Sequence, residues 1–186
     1  SAADETGATA QSLRFTAWNE EEKFSWEDAR IYQVVTDRFR RGGGALADNV
    51  PISYRYGGDL AGLIEAIDDG YFEKLGVNAL WISPMYDNPD DYWTGFDGHL
   101  YESYHGYWPI AARAVEEKFG GAEALDDFVT TAHEHGLRVI VDMVMNHVHI
   151  LHPYWRQHMD DDWFNSRCVC GASECTWAEA IDHCWF

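Results

Sequence analysis

The chain has 186 residues, of which 46% are hydrophobic and 15% aromatic, which excludes a disordered tract and suits a folded domain with a sizeable core. Thirteen Lys and Arg stand against 32 Asp and Glu, a formal charge of −19, so nucleic acid and anionic membrane surfaces are excluded as partners. No run approaches the about 18 apolar residues a spanning helix needs, and SAADETGATA at the start lacks the basic and apolar regions of an export signal.

Residues 1–28 are polar and acidic and read as a lead-in or linker. Ile31 to Phe39 (IYQVVTDRF) is β-branched and apolar, the pattern of a buried strand. The Gly- and Pro-bearing segment 40–51 follows as a loop. Its three glycines, Gly42 to Gly44, follow the first strand but the next helix starts only near Asp59, a sequence separation that argues against a phosphate cradle. From Asp59 the period changes: Leu60, Leu63, Ile64 and Ile67 recur at helical spacing, with Asp59 as the capping carboxylate and an interruption near Gly70. Val77 to Pro84 is a second strand, stopped by its proline. A long loop rich in Tyr, Trp, Asp and Gly runs from Met85 to about Lys118. Ala122 to His135 is a second helix, closed by Gly136, and Leu137 to Asn146 is a third strand.

Strand, helix, strand, helix, strand makes two successive βαβ units, an α/β fold with parallel strands. Ligand sites in such folds lie at the carboxyl ends of the strands, and here each strand ends in polar residues: Asp37 and Arg38, Ser83, and Asp142 to His147. Three parallel strands leave edges unpaired, whereas an eight-stranded (β/α) barrel takes about 250 residues. The expectation is a partial TIM barrel of about three units over residues 29–150.

Four cysteines, Cys168, Cys170, Cys175 and Cys184, crowd the last 19 residues. Paired disulfides of an exported protein suit them best; a zinc site and free thiols are the alternatives, and the pairing stays open among three possibilities. His149, His152 and His158 lack the spacing of a helical zinc pair and read as surface or loop residues. The acidic run Asp160 to Asp162 reads as a solvated face.

Four blocks, taken in order, resemble the α-amylase family of glycoside hydrolases. They are IYQVVTDRF; GGDLAGL (Gly57 to Leu63) with LGVNALWISPMYDN (Leu75 to Asn88); YHGYWP (Tyr104 to Pro109); and DMVMNHV (Asp142 to Val148), which carries D-x-x-x-N-H. The resemblance covers about residues 31–155. It implies that His147 and His105 hydrogen-bond sugar hydroxyls and that Tyr107 stacks beneath the same ring, with Trp108 as a neighbouring wall. A neutral imidazole offers both donor and acceptor, and a flat ring covers the apolar face of a sugar. It further implies Asn146 as one calcium ligand and Asp142, Asp37 and Arg38 as structural groups at a barrel mouth. Residues 151–186 become the start of an excursion domain.

The family's G-x-R-x-D block, which carries the nucleophile, does not occur in these residues. The expectation is therefore an N-terminal part of an α-glucan-acting retaining hydrolase, inactive by itself, whose catalytic carboxylates lie beyond Phe186, with a second chain that carries the rest of the barrel as the alternative. The alternatives are a transglycosylase and a non-catalytic carbohydrate-binding relative. Calcium as cofactor, an α-glucan as partner and a secreted, periplasmic or cell-surface location complete the expectation.

Overall fold

The apolar runs form three short parallel strands, β1 (Ile31–Val34), β2 (Ala79–Ile82) and β7 (Arg138–Val141), in the order β1-β2-β7. Ile31 lies opposite Ala79 and Ala79 opposite Arg138, so β2 is central and the register is continuous. The computed structural model describes residues 24–95 and 97–164, together with the backbone of strands β8 (Cys168–Val169) and β9 (Cys184–Trp185). β8 and β9 pair in parallel with Cys168 opposite Cys184; the side chains of all four cysteines, and residues 1–23, lie outside the described residues.

Between β1 and β2 come α2 (Leu60–Asp68) and α3 (Tyr71–Leu75), and before β7 comes α4 (Gly121–Glu134). Leu60, Leu63 and Ile67 recur on one face of α2 because three or four residues make one helical turn. They bury completely against Val34, Leu80 and Ile82 of the sheet and Phe128 and Ala132 of α4, with Phe72 of α3 in the same cluster. Each such side chain contributes about 1.5–3 kcal/mol. Asp59 caps α2 by accepting from the Gly62 amide at 2.8 Å, and it also accepts from the Gly42 amide at 2.9 Å, which fastens the preceding loop to the helix start. Gly62 permits this closeness: a Cβ there would stand 2.2 Å from the Arg40 carbonyl oxygen.

All three strands are shorter than the sequence suggests, β1 and β7 chiefly at their carboxyl ends. β1 ends at Val34, and Thr36–Phe39 coil into a helical turn, α1. The reason lies in side-chain bonds that the apolar pattern does not announce. The Thr36 amide donates to Ser83 Oγ at 3.1 Å, and Ser83 Oγ–H donates to Thr36 Oγ1 at 3.1 Å. Buried Asp37 accepts from the amides of Tyr56 and Gly57 and pairs with Arg38. β7 ends at Val141, because Asp142 Oδ1 accepts from the Met143 amide at 2.8 Å and turns the chain off the sheet.

The segment 85–118, expected as loop, has order of its own. β3 (Tyr86–Asp87) pairs antiparallel with β6 (Ala111–Val115), and β4 (Trp93–Thr94) pairs with β5 (Leu100–Tyr101) as a hairpin. Beneath them the buried Glu116 carboxylate meets Arg55 at 3.0 Å, and Arg55 also donates to Ser103 Oγ at 3.1 Å. α5 (Pro153–His158) follows, with Pro153 in its first turn, where no amide hydrogen is needed, and His152 Nδ1 accepting from the Tyr154 amide.

Candidate functional site

Beyond the carboxyl ends of the three strands, residues from three separate segments meet. Tyr107, on the connection after β2, donates its hydroxyl to Asp142 at the end of β7. The Tyr107 carbonyl accepts from His147 Nε2 at 2.8 Å, and the Tyr107 amide donates to His105 Nδ1 at 2.9 Å. The His105 and Tyr107 rings lie 5.9 Å apart and 26° from parallel, and Trp108 meets His105 edge-on at 4.9 Å. Tyr107 is 38% exposed, so part of its ring is open to a ligand.

Two features hold this wall in place. Buried Asn88 accepts from the Trp108 amide at 2.8 Å and donates to the carbonyls of Tyr86 and Gly106. Gly106 has φ +82°, and a Cβ there would fall 2.2 Å from the Pro84 carbonyl oxygen. Only glycine lets the His105–Tyr107 turn lie this close to the end of β2. From the β1 side, the Arg38 guanidinium sits 3.9 Å from the Tyr56 ring centroid and 3.6 Å from that of Tyr104, and Tyr104 touches His105 edge-on. Asp37 and Arg38 thus reach the wall through Tyr104.

A carbonyl only accepts, so His147 Nε2 carries a hydrogen, and its enclosed Nδ1 has no hydrogen-bond partner among the described residues. His105 Nδ1 accepts an amide hydrogen, so its Nε2 carries the proton of the neutral ring. Burial, and then the positive charges of Arg55 and Arg38, push the His105 pKa down to about 4, so the ring is neutral at physiological pH. Burial and the Asp142 carboxylate push the Tyr107 hydroxyl up to about 12, which keeps it a donor. The wall therefore offers uncharged rings and hydroxyl-sized donors and acceptors, the chemistry that recognises a neutral polyhydroxylated ligand.

Asn146 stands apart from these contacts. It is exposed and borders a neighbouring cavity of about 350 Å³ with His147. Among the described residues no group of three or more His, Cys, Asp or Glu side chains converges as a metal site. Asn146 is thus one hard oxygen donor against the six to eight that calcium takes. Two of the three histidines read as surface or loop residues are not surface groups. His152 is buried, and His149 is flanked by Trp93 at 4.4 Å and Trp108 at 5.8 Å. His158 stacks on Trp163 at 3.7 Å. Asn88 and Trp93 were given no role in the sequence reading and His149 only that of a surface or loop residue, since single polar or aromatic residues in loops carry no periodic signal.

A parallel α/β sheet with a polar, aromatic wall at its carboxyl ends defines a ligand-binding domain of the kind that places chemistry at strand ends. A family model described as the α-amylase catalytic domain matches residues 33–176, and the chain belongs to the α-amylase family. It is 32% identical over 171 residues to α-amylase 1 of Lipomyces kononenkoae, covering 87% of this chain and 26% of that protein. It is 38% identical over 133 residues to a cyclomaltodextrin glucanotransferase of Bacillus sp. (strain 1-1), covering 67% of this chain and 18% of the relative. Among solved structures, an α-amylase from Geobacillus thermoleovorans complexed with acarbose matches with TM-score 0.65 and 29% identity, over 86% of this chain and 31% of that one. An Anoxybacillus α-amylase matches with TM-score 0.67 and 30% identity, over 86% and 32%. The chain spans about a quarter of the first curated relative and less than a fifth of the second.

Proposed function

We propose that these residues form the first three strands of a (β/α)8 barrel in a retaining glycoside hydrolase that acts on α-glucans, and that they supply one wall of its substrate cleft. The observation that carries this reading is Tyr107: its ring is partly open while its hydroxyl, amide and carbonyl are held by Asp142, His105 and His147. In this reading Tyr107 covers the apolar face of one glucosyl ring, and His105 and His147 meet its hydroxyls.

The reaction itself belongs to carboxylates in other parts of the barrel. An acid protonates the glycosidic oxygen as a carboxylate attacks the anomeric carbon, and water then displaces the glycosyl group from the enzyme. Displacement by a sugar hydroxyl gives transfer instead, and the 38% identity to a cyclomaltodextrin glucanotransferase favours that as the second reading. The 186-residue chain alone cleaves nothing in this proposal. Its partners are an α-glucan and the remaining strands of the barrel. Calcium enters only through Asn146, with its other ligands drawn from main-chain carbonyls and residues outside the described ones; no step depends on it. The cysteine-rich end suits a secreted, periplasmic or cell-surface protein.

In the full-length protein, Tyr107→Ala lowers kcat and raises KM for maltooligosaccharides, reducing kcat/KM by about 10–100-fold. Unchanged steady-state kinetics would remove Tyr107 from the site and the reading with it.

A further inference from the structure

Arg55, on the segment before α2, is a cation with only 10% of its side chain exposed. Its Nη2 donates to Glu116 Oε2 at 3.0 Å and to two atoms of Ser103, Oγ at 3.1 Å and the carbonyl oxygen at 3.3 Å. Both partners are buried, and the Phe119 ring centroid lies 5.4 Å from the guanidinium carbon. Among the described residues Nε and Nη1 have no hydrogen-bond partner, so Nη2 alone carries the bonds of this guanidinium. A charge so far out of water is costly unless it is paired, and Glu116, just past the end of β6, supplies the pairing.

An ion pair that served packing alone would need no third partner, yet two of the three bonds go to Ser103. That residue opens the turn that carries His105. Its carbonyl accepts from the Gly106 amide at 3.2 Å, and its hydroxyl donates to the Pro89 carbonyl at 2.7 Å. Arg55 therefore grips the turn two residues before His105 and four before Tyr107.

We propose that Arg55 is a positioning residue: held by Glu116, it seats the Ser103–Gly106 turn and so sets where His105 and Tyr107 meet the ligand. The inference rests on the α-glucan reading above, because it concerns the same wall.

The same cation acts on the His105 ring through space. Facing that ring are Arg55, Arg38 from α1 and His147 from the segment after β7. Tyr104, Tyr107 and Trp108 come from its own loop, with Asp142 bonded to the Tyr107 hydroxyl. Burial is the first cause of the low His105 pKa, and Arg55 is the foremost of the charges that add to it. Removing the Arg55 charge thus moves the His105 titration up towards its ordinary range, which gives the positioning role a signature beyond stability.

The test uses the full-length protein, with kcat/KM and Kd for maltoheptaose followed from pH 4 to pH 8 and the His105 ring titrated by NMR. Arg55→Met alone strands the Glu116 charge, so it is combined with Glu116→Gln, which keeps an acceptor for the Lys118 amide. This neutral variant lowers kcat/KM at pH 7 about tenfold and shifts both its acid limb and the His105 titration to higher pH. Arg55→Lys keeps the charge and the ion pair, but its compact ammonium reaches fewer of the three acceptors. Its acid limb stays in place and kcat/KM falls about threefold. An unmoved acid limb and His105 titration in the neutral variant, or an unchanged kcat/KM in Arg55→Lys, overturns the proposal. If the neutral variant does not fold, Arg55→Lys decides by the same measure. A wild type that cleaves no α-glucan sinks the hydrolase reading alone; the His105 titration and the maltoheptaose Kd of the same variants then support or overturn the role of Arg55.

Discussion

Behind the sheet, Leu60, Leu63, Ile67, Phe72, Leu80 and Phe128 are wholly buried in a single apolar cluster. Beyond the strand ends, Tyr107, His105, Trp108 and Asp142 stay partly open and are joined by hydrogen bonds and ring contacts. The first region is held by removing surface from water, which is indifferent to direction and to pH. The second is held by directed bonds among groups that titrate. Substitutions behind the sheet should therefore cost stability, and those in the wall should chiefly change ligand binding and pH response.

The sharpest way to break this contrast is Phe72→Ala. The cavity it opens costs about 3–5 kcal/mol, read as a lower urea midpoint at unchanged slope. A loss below about 1 kcal/mol would mean that the core collapses around the gap. Asp37 blurs the contrast, because it is a buried charge at the strand ends, bonded to two amides and Arg38. Asp37→Asn is expected to cost about 2–4 kcal/mol in the same measurement and to loosen the loop around Tyr56 and Gly57.

The smallest effect is a pH response of the wall. The folded pKa of His105, about 4, lies below its ordinary 6.5, so the unfolded chain binds more protons between those values. Its contribution is complete above about pH 6.5 and is lost as pH falls towards 4. Thermal midpoints followed from pH 7 to pH 4 should fall less steeply in His105→Gln than in the wild type. Identical slopes would place the acid sensitivity elsewhere.

Much of the region behind the sheet was legible in the sequence, because burial imposes a period. Leu60, Leu63 and Ile67 announce a helix, Asp59 its start and Gly136 the end of α4. The strand ends were less legible. Val35 to Phe39 continues an apolar, β-branched run, yet Thr36 and Asp37 are claimed by Ser83, Tyr56 and Gly57, which lie 19 to 47 residues away. The two-residue strands of segment 85–118 are too short to show alternation, and the pairing of Glu116 with Arg55 spans 61 residues. The wall residues were found through recognisable blocks and not through periodicity. Trp93 and His149 belong to no such block, and Asn88, which closes the second one, was given no role there.

The close passage of Gly106 over Pro84 has a practical consequence for remodelling this protein. Libraries that randomise the whole YHGYWP stretch would spend most of their members on chains that cannot seat that turn. Diversity is better placed on the hairpin strands, where Trp93 and Tyr101 face each other, while Gly98 at φ +77° stays glycine. A designer can vary the outer rim there while leaving the inner turn as an invariant template.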